Sequence, residues 1–183
     1  MMADLVTWFM IDGKLNPKAI KSLYAPGMAE ETIILLQGTA YEPIAASGPL
    51  LARVSSNSEL YGYWQNNDAP LHLSWQFTSA LTPYDLAAYW RRRLLFNAPM
   101  GRTLWLRYAD SRVIARCIEQ ETFPEGFWQG IATLRISAQH PEWAPPSMKN
   151  PLTWEEPKKD ELRAFFTFNE RQLASLSPVE TVS

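Results

Sequence analysis

Two adjacent stretches decide the fold class: Leu71-His72-Leu73-Ser74-Trp75-Gln76-Phe77, and Thr82-Pro83-Tyr84-Asp85 shortly after it. The first alternates apolar and polar side chains, which predicts a half-buried strand. The second has an N-cap Thr, a Pro in the first helical turn and a carboxylate at the third position, which predicts a helix start. That helix is expected to run to about Phe96, with Leu86, Trp90 and Leu94 stacked four residues apart. Working outward, the same handover recurs. Residues 5–11 read as a buried strand stopped at Asp12-Gly13, and Asn16-Pro17 opens a short helix through Ala19, Ile20 and Leu23. Residues 32–36 and 50–54 read as strands, and Ser56 with Glu59 has the spacing of a capping box for a helix carrying Leu60 and Trp64. Downstream, residues 103–108 read as a strand, Asp110 caps a helix holding Val113, Ile114 and Cys117, and residues 132–136 close the series. Alternating strands and helices predict an α/β fold: a layered domain over residues 1–138, with a mixed sheet of five or six strands flanked by helices.

Character changes in residues 139–183. Five prolines and two tryptophans fall between 140 and 157, which predicts an extended connector. A C-terminal helix is expected from about Lys158, carrying Leu162, Phe165, Phe166, Leu173 and Leu176 on one stripe. Trp143, Trp154, Phe165, Phe166 and Phe168 are candidate partner-binding anchors, since large aromatics make strong interface contacts. The competing reading is that the last helix packs on its own body and completes the core.

The chain has 183 residues, 46% of them hydrophobic and 20% charged, enough for a real core. Its formal net charge of −2 speaks against nucleic acid, where a basic excess would supply affinity. Cys117 is the only cysteine, so neither an internal disulfide nor a four-cysteine metal site can form, and a reducing compartment fits. The first residues lack a basic, then apolar, leader, and no apolar run reaches the ~20 residues of a membrane helix. The expectation is a cytoplasmic protein without membrane insertion.

Catalytic signatures are missing: no glycine-rich phosphate loop, no Gly-x-Ser-x-Gly elbow, no His-Glu-x-x-His. A Cys117–His72 nucleophile pair is formally available, but Cys117 lies among Val113, Ile114 and Ile118 and reads as a buried apolar side chain. Two scattered histidines define no metal site. No catalytic residue, cofactor or metal is expected. Arg91-Arg92-Arg93 spreads around about 200° of a helix and reads as a solvated flank with its stems on aromatics. In Arg107-Tyr108-Ala109-Asp110-Ser111-Arg112 a strand turns into a helix. Arg112 in the first helical turn opposes the helix dipole and calls for an Asp–Arg network.

Several of these fragments, in this order, resemble the type VI secretion adaptor proteins called Tap or TEC. They are Met10-Ile11-Asp12-Gly13, Gln37-Gly38-Thr39-Ala40-Tyr41, Gly48-Pro49-Leu50-Leu51, the helix from Leu86 to Leu95, and Leu106-Arg107-Tyr108-Ala109-Asp110-Ser111-Arg112-Val113. The last resembles the family's Arg-Phe-Tyr-Asp-Pro-Arg corner, with Arg107, Asp110 and Arg112 in register. Ala109 stands where an aromatic is usual and Ser111 where Pro is usual. The resemblance spans about residues 5–137. It implies an effector-specific chaperone, not an enzyme, that binds a toxic type VI effector in the cytoplasm and helps load it onto the VgrG spike. The alternatives are a small α/β enzyme acting on an anionic substrate at Arg107, Asp110 and Arg112, and an immunity-type protein that blocks a toxin.

Overall fold

The computed structural model describes residues 4–149 and 151–177. β1 (Val6–Asp12) is the middle of a five-stranded sheet, in the order β2 (Glu31–Ile34), β3 (Pro49–Arg53), β1, β4 (Trp75–Ser79) and β7 (Thr133–Arg135). Its Trp8–Ile11 stretch is a continuous apolar run because both its faces are covered. Trp8 and Met10 enter one core with Leu51, Trp75 and Phe77; Phe9 and Ile11 enter a second with Leu50 and Ala52. The second core is closed by α1 (Ala19–Leu23) and α2 (Leu60–Gln65), which supply Leu23, Leu60 and Trp64. The first is closed by α3 (Pro83–Arg91) and α4 (Ser111–Gln120), which supply Leu86, Trp90, Ile114 and Cys117. The result is a layered α/β domain with helices on both sides of one sheet. Every pairing in the sheet is antiparallel, so it is not the mixed sheet expected from the strand–helix alternation.

One expected helix ends early and one expected strand begins late, and an unexpected strand fills the difference after the helix. Thr82 does cap α3, accepting a hydrogen bond from Asp85 N–H, but the helix stops at Arg91 instead of reaching Phe96. β5 (Leu95–Ala98) follows and forms a separate two-stranded hairpin with β6 (Arg102–Trp105). Strand β4 begins at Trp75, later than the alternation suggests, because Leu73 sits at φ +54° in the preceding turn.

The C-terminal helix is also shorter than its apolar stripe implies. It is α5 (Glu170–Ser175), closed at its N-terminus by a reciprocal capping box between Asn169 and Gln172. The chain before it is extended: Phe166 C=O accepts from Asn97 N–H and Phe168 N–H donates to Asn97 C=O, a short parallel bridge on β5. Residues 165–168 therefore have period two. Phe166 and Phe168 point into the core at 5% and 1% exposure, while Thr167 between them and Phe165 before them face outward, Phe165 at 45% exposure.

No helix among the described residues is long and apolar enough to cross a membrane.

Candidate functional site

The fragments at 10–13, 37–41, 48–51 and 106–113 meet at one corner of the molecule. Asp12 ends β1 and is buried. Its Oδ1 accepts from Lys14 N–H at 2.9 Å and Leu15 N–H at 3.2 Å, fixing the turn, and its Oδ2 accepts from Arg107 across 95 residues of chain. Gly13 donates to Gly48 C=O, and a Cβ at Gly13 would lie 2.1 Å from Ala46 O, so only glycine fits there. Tyr41 packs edge-on against Trp105 at 4.7 Å between ring centres.

The corner itself is held from beneath. Tyr108 is buried; its C=O accepts from Trp75 Nε1 at 2.7 Å and its hydroxyl donates to Trp90 C=O at 2.9 Å. Asp110 caps α4, accepting from Arg112 N–H at 3.0 Å. Arg112 then folds back on it, donating from Nε at 3.0 Å and Nη2 at 2.8 Å. The expected Asp–Arg network is present, and it relieves Arg112 of its unfavourable place in the helix dipole. Burial works to raise the Asp110 pKa, but these hydrogen bonds and the charges of Arg112 and Arg107 prevail and hold it below its ordinary value.

The corner opens into a groove of about 1060 Å³ between β6, α4 and α5. Arg102, Arg107, Arg112 and Arg116 line it with Leu104, Trp105 and Leu173, and Asp110 and Glu170 are its acidic members. Arg107 and Arg112 keep 46% and 54% of their side chains exposed. Arg116 bridges from α4 to the end of α5, donating to the carbonyls of Ser175 and Leu176.

The five aromatic candidates do not form one surface. Trp143 pairs its backbone with Leu134 of β7 and packs on Trp128. Trp154, Phe165 and Phe166 form a second cluster, with Trp154 stacked on Phe166 at 5.6 Å. Phe168 lies on Phe96 at 4.5 Å, inside the core. These described parts of the segment after residue 139 are therefore folded onto the body. Of the five, Phe165 is the most exposed; Phe166 and Phe168 have no face left for a partner.

The arginine run contradicts its reading as a solvated flank. Arg93 has no exposed side-chain surface. It donates to the carbonyls of Tyr89, Gly126 and Phe127, covers the Tyr89 ring at 3.4 Å, and holds both oxygens of Glu156 at 2.7 and 3.0 Å. Arg92 donates to the same carboxylate at 2.8 Å, and Arg91 pairs with Asp160 at 2.9 Å. All three arginines thus clasp the connector. Nothing near Glu156 in sequence announces this, because its partners lie more than 60 residues away.

Cys117 is buried against Ser175 Oγ and Thr122, and burial pushes its thiol pKa up. His72 instead meets Asn67 C=O at 3.1 Å. The two engage different partners. Among the described residues, no group of three or more His, Cys, Asp or Glu side chains is placed to hold a metal ion.

No curated protein and no solved structure matches the chain. The family described as "Domain of unknown function (DUF4123)" matches residues 7–124, a span that contains every fragment meeting at this corner, and the chain belongs to that family.

Proposed function

We propose that this protein is a cytoplasmic adaptor that binds a type VI secretion effector and helps load it onto the VgrG spike, and that it is not an enzyme. The observation that carries the reading is the groove that opens beside the Arg107–Arg112 corner, where exposed Arg102, Arg107 and Arg112 stand with Trp105 next to the buried aromatic core. Arginine and tryptophan are the side chains most enriched in energetic centres of protein interfaces. A groove held by a buried framework loses little conformational entropy on binding. The resemblance of these fragments to the Tap or TEC adaptors supplies the class of partner.

The rival reading, an enzyme using Asp110 on an anionic substrate, is disfavoured by the state of that carboxylate. Asp110 is committed to the helix cap and to Arg112, and its lowered pKa makes it a weak base. An immunity protein would share the surface but would protect cells from the toxin.

The test is affinity purification of the tagged full chain from its host, with mass spectrometry of what it retains. Recovery of a type VI effector, and loss of that effector from the secreted fraction when the chain is deleted, is the expected result. A chain that retains no effector, or whose deletion leaves secretion intact, overturns the proposal.

A further inference from the structure

Resting on the adaptor reading, the geometry points to the way the client is held: the outer edge of β6 takes an extended acidic segment of the partner as an added strand. β5 and β6 form an antiparallel pair, and Leu106 N–H donates to Leu94 C=O, which fixes the alternation of their hydrogen bonds. By that alternation Thr103 and Trp105 of β6, like Asn97 of β5, turn their N–H and C=O groups away from the pair. On the β5 side those groups are satisfied, since Asn97 bonds to Phe166 and Phe168. On the β6 side no strand is present among the described residues. An unpaired edge is a template for another chain.

The groove beside that edge says what the added chain carries. Arg102, Arg107, Arg112 and Arg116 face Asp110 and Glu170, a local basic excess in a chain whose net charge is −2. Their donors are only partly used. Arg102 gives its Nε to Pro99 C=O, Arg107 one Nη to Asp12, and Arg112 two groups to Asp110, each out of five N–H groups. Carboxylates at alternate positions of an added strand would meet the groove face, which carries Arg102 beside Leu104, and apolar residues between them would meet the opposite face, where Trp105 packs on Tyr41. A nucleic acid would use the arginines but offers no backbone N–H to the free carbonyls of β6, so a peptide is the better match.

The test uses the full chain and a fluorescein-labelled ten-residue peptide alternating Glu with Val, titrated by fluorescence anisotropy. Saturable binding is expected, weakening as salt is raised. The R102E/R112A pair should weaken it by about tenfold or more. Thr103→Pro, which removes an outward N–H while leaving the β5 side intact, should weaken it similarly at unchanged thermal stability. Absence of saturable binding, equal binding of a Lys-Val peptide, unchanged affinity in either variant, or tighter binding of a single-stranded oligonucleotide each overturns the inference. The same variants in the effector purification separate the two proposals. If wild type and variants retain the effector equally, the edge inference fails and the adaptor reading stands; if wild type retains none, the adaptor reading fails.

Discussion

Two arginine constellations, 14 residues apart at their nearest members Arg93 and Arg107, have opposite fates. Arg93, with Arg92 beside it, is withdrawn from water and saturated by carbonyls and Glu156. Arg107 and Arg112 are half exposed, each tied to one aspartate and left with donors to spare. A buried guanidinium must find a partner for nearly every N–H, or the desolvation cost is not recovered. Once it has them it can only hold structure. An exposed one needs few partners, contributes little to stability, and stays available to a ligand. Side-chain type therefore does not separate scaffold from site in this protein; the balance of hydrogen bonds does.

The contrast can be broken first at Arg93. Arg93→Met keeps much of the stem packing but strips donors from the carbonyls of Tyr89 and Gly126 and leaves Glu156 with Arg92 alone. A loss of about 3–5 kcal/mol is expected in urea denaturation. Adding Glu156→Gln should recover part of it, because the carboxylate is no longer left short of partners.

A smaller effect sharpens the same side. Burial works to raise the Glu156 pKa, but Arg93 and Arg92 prevail and hold it below its ordinary value of 4.5. A carboxylate depressed on folding stabilises the protein above its unfolded pKa, and that contribution is lost as pH falls through the folded value. Thermal melts of wild type should therefore drop steeply on the acid side of 4.5, and Glu156→Gln should be less stable at pH 7 with a shallower acid limb. Parallel acid limbs would show that the clasp is not what titrates.

The smallest effects belong to the exposed corner. Asp110→Ala removes the cap of α4 and should cost about 1 kcal/mol. Arg112→Ala, at a side chain 54% exposed, should cost about 0–1 kcal/mol in the same denaturation experiment. If Arg112→Ala destabilised as much as Arg93→Met, the distinction between clasp and site would collapse.

Deleting residues 140–183 would test the same division. A detachable arm would leave a folded body, but here Phe166 and Phe168 fill the core and Glu156 neutralises Arg93. Burying two phenylalanines contributes on the order of 2–3 kcal/mol each. Removing the segment should expose the body's aromatic floor and unfold it, and binding assays on such a truncation would report folding instead.

Local chemistry wrote part of this structure into the sequence. Thr82-Pro83 fixed where α3 starts, Asp110 fixed where α4 starts, and the apolar run Trp8–Ile11 in β1 marked a strand covered on both faces. In each case the partner is the chain's own backbone a few residues away, or simply the requirement for burial. The Arg107-to-Arg112 corner was legible for the same reason, since Asp110 and Arg112 are neighbours. What the tertiary structure alone decided lies at long range. The antiparallel order of the sheet, the pairing of Asp12 with Arg107, the clasp on Glu156 and the switch of residues 165–168 from a helical stripe to a strand bridging β5 each depend on groups tens of residues apart. A spacing of Leu162, Phe165 and Phe166 satisfies a helix, yet Phe166, Thr167 and Phe168 also satisfy a strand. The open edge groups of Asn97 chose between them, because an unpaired backbone beside the core is costlier than a lost helical turn.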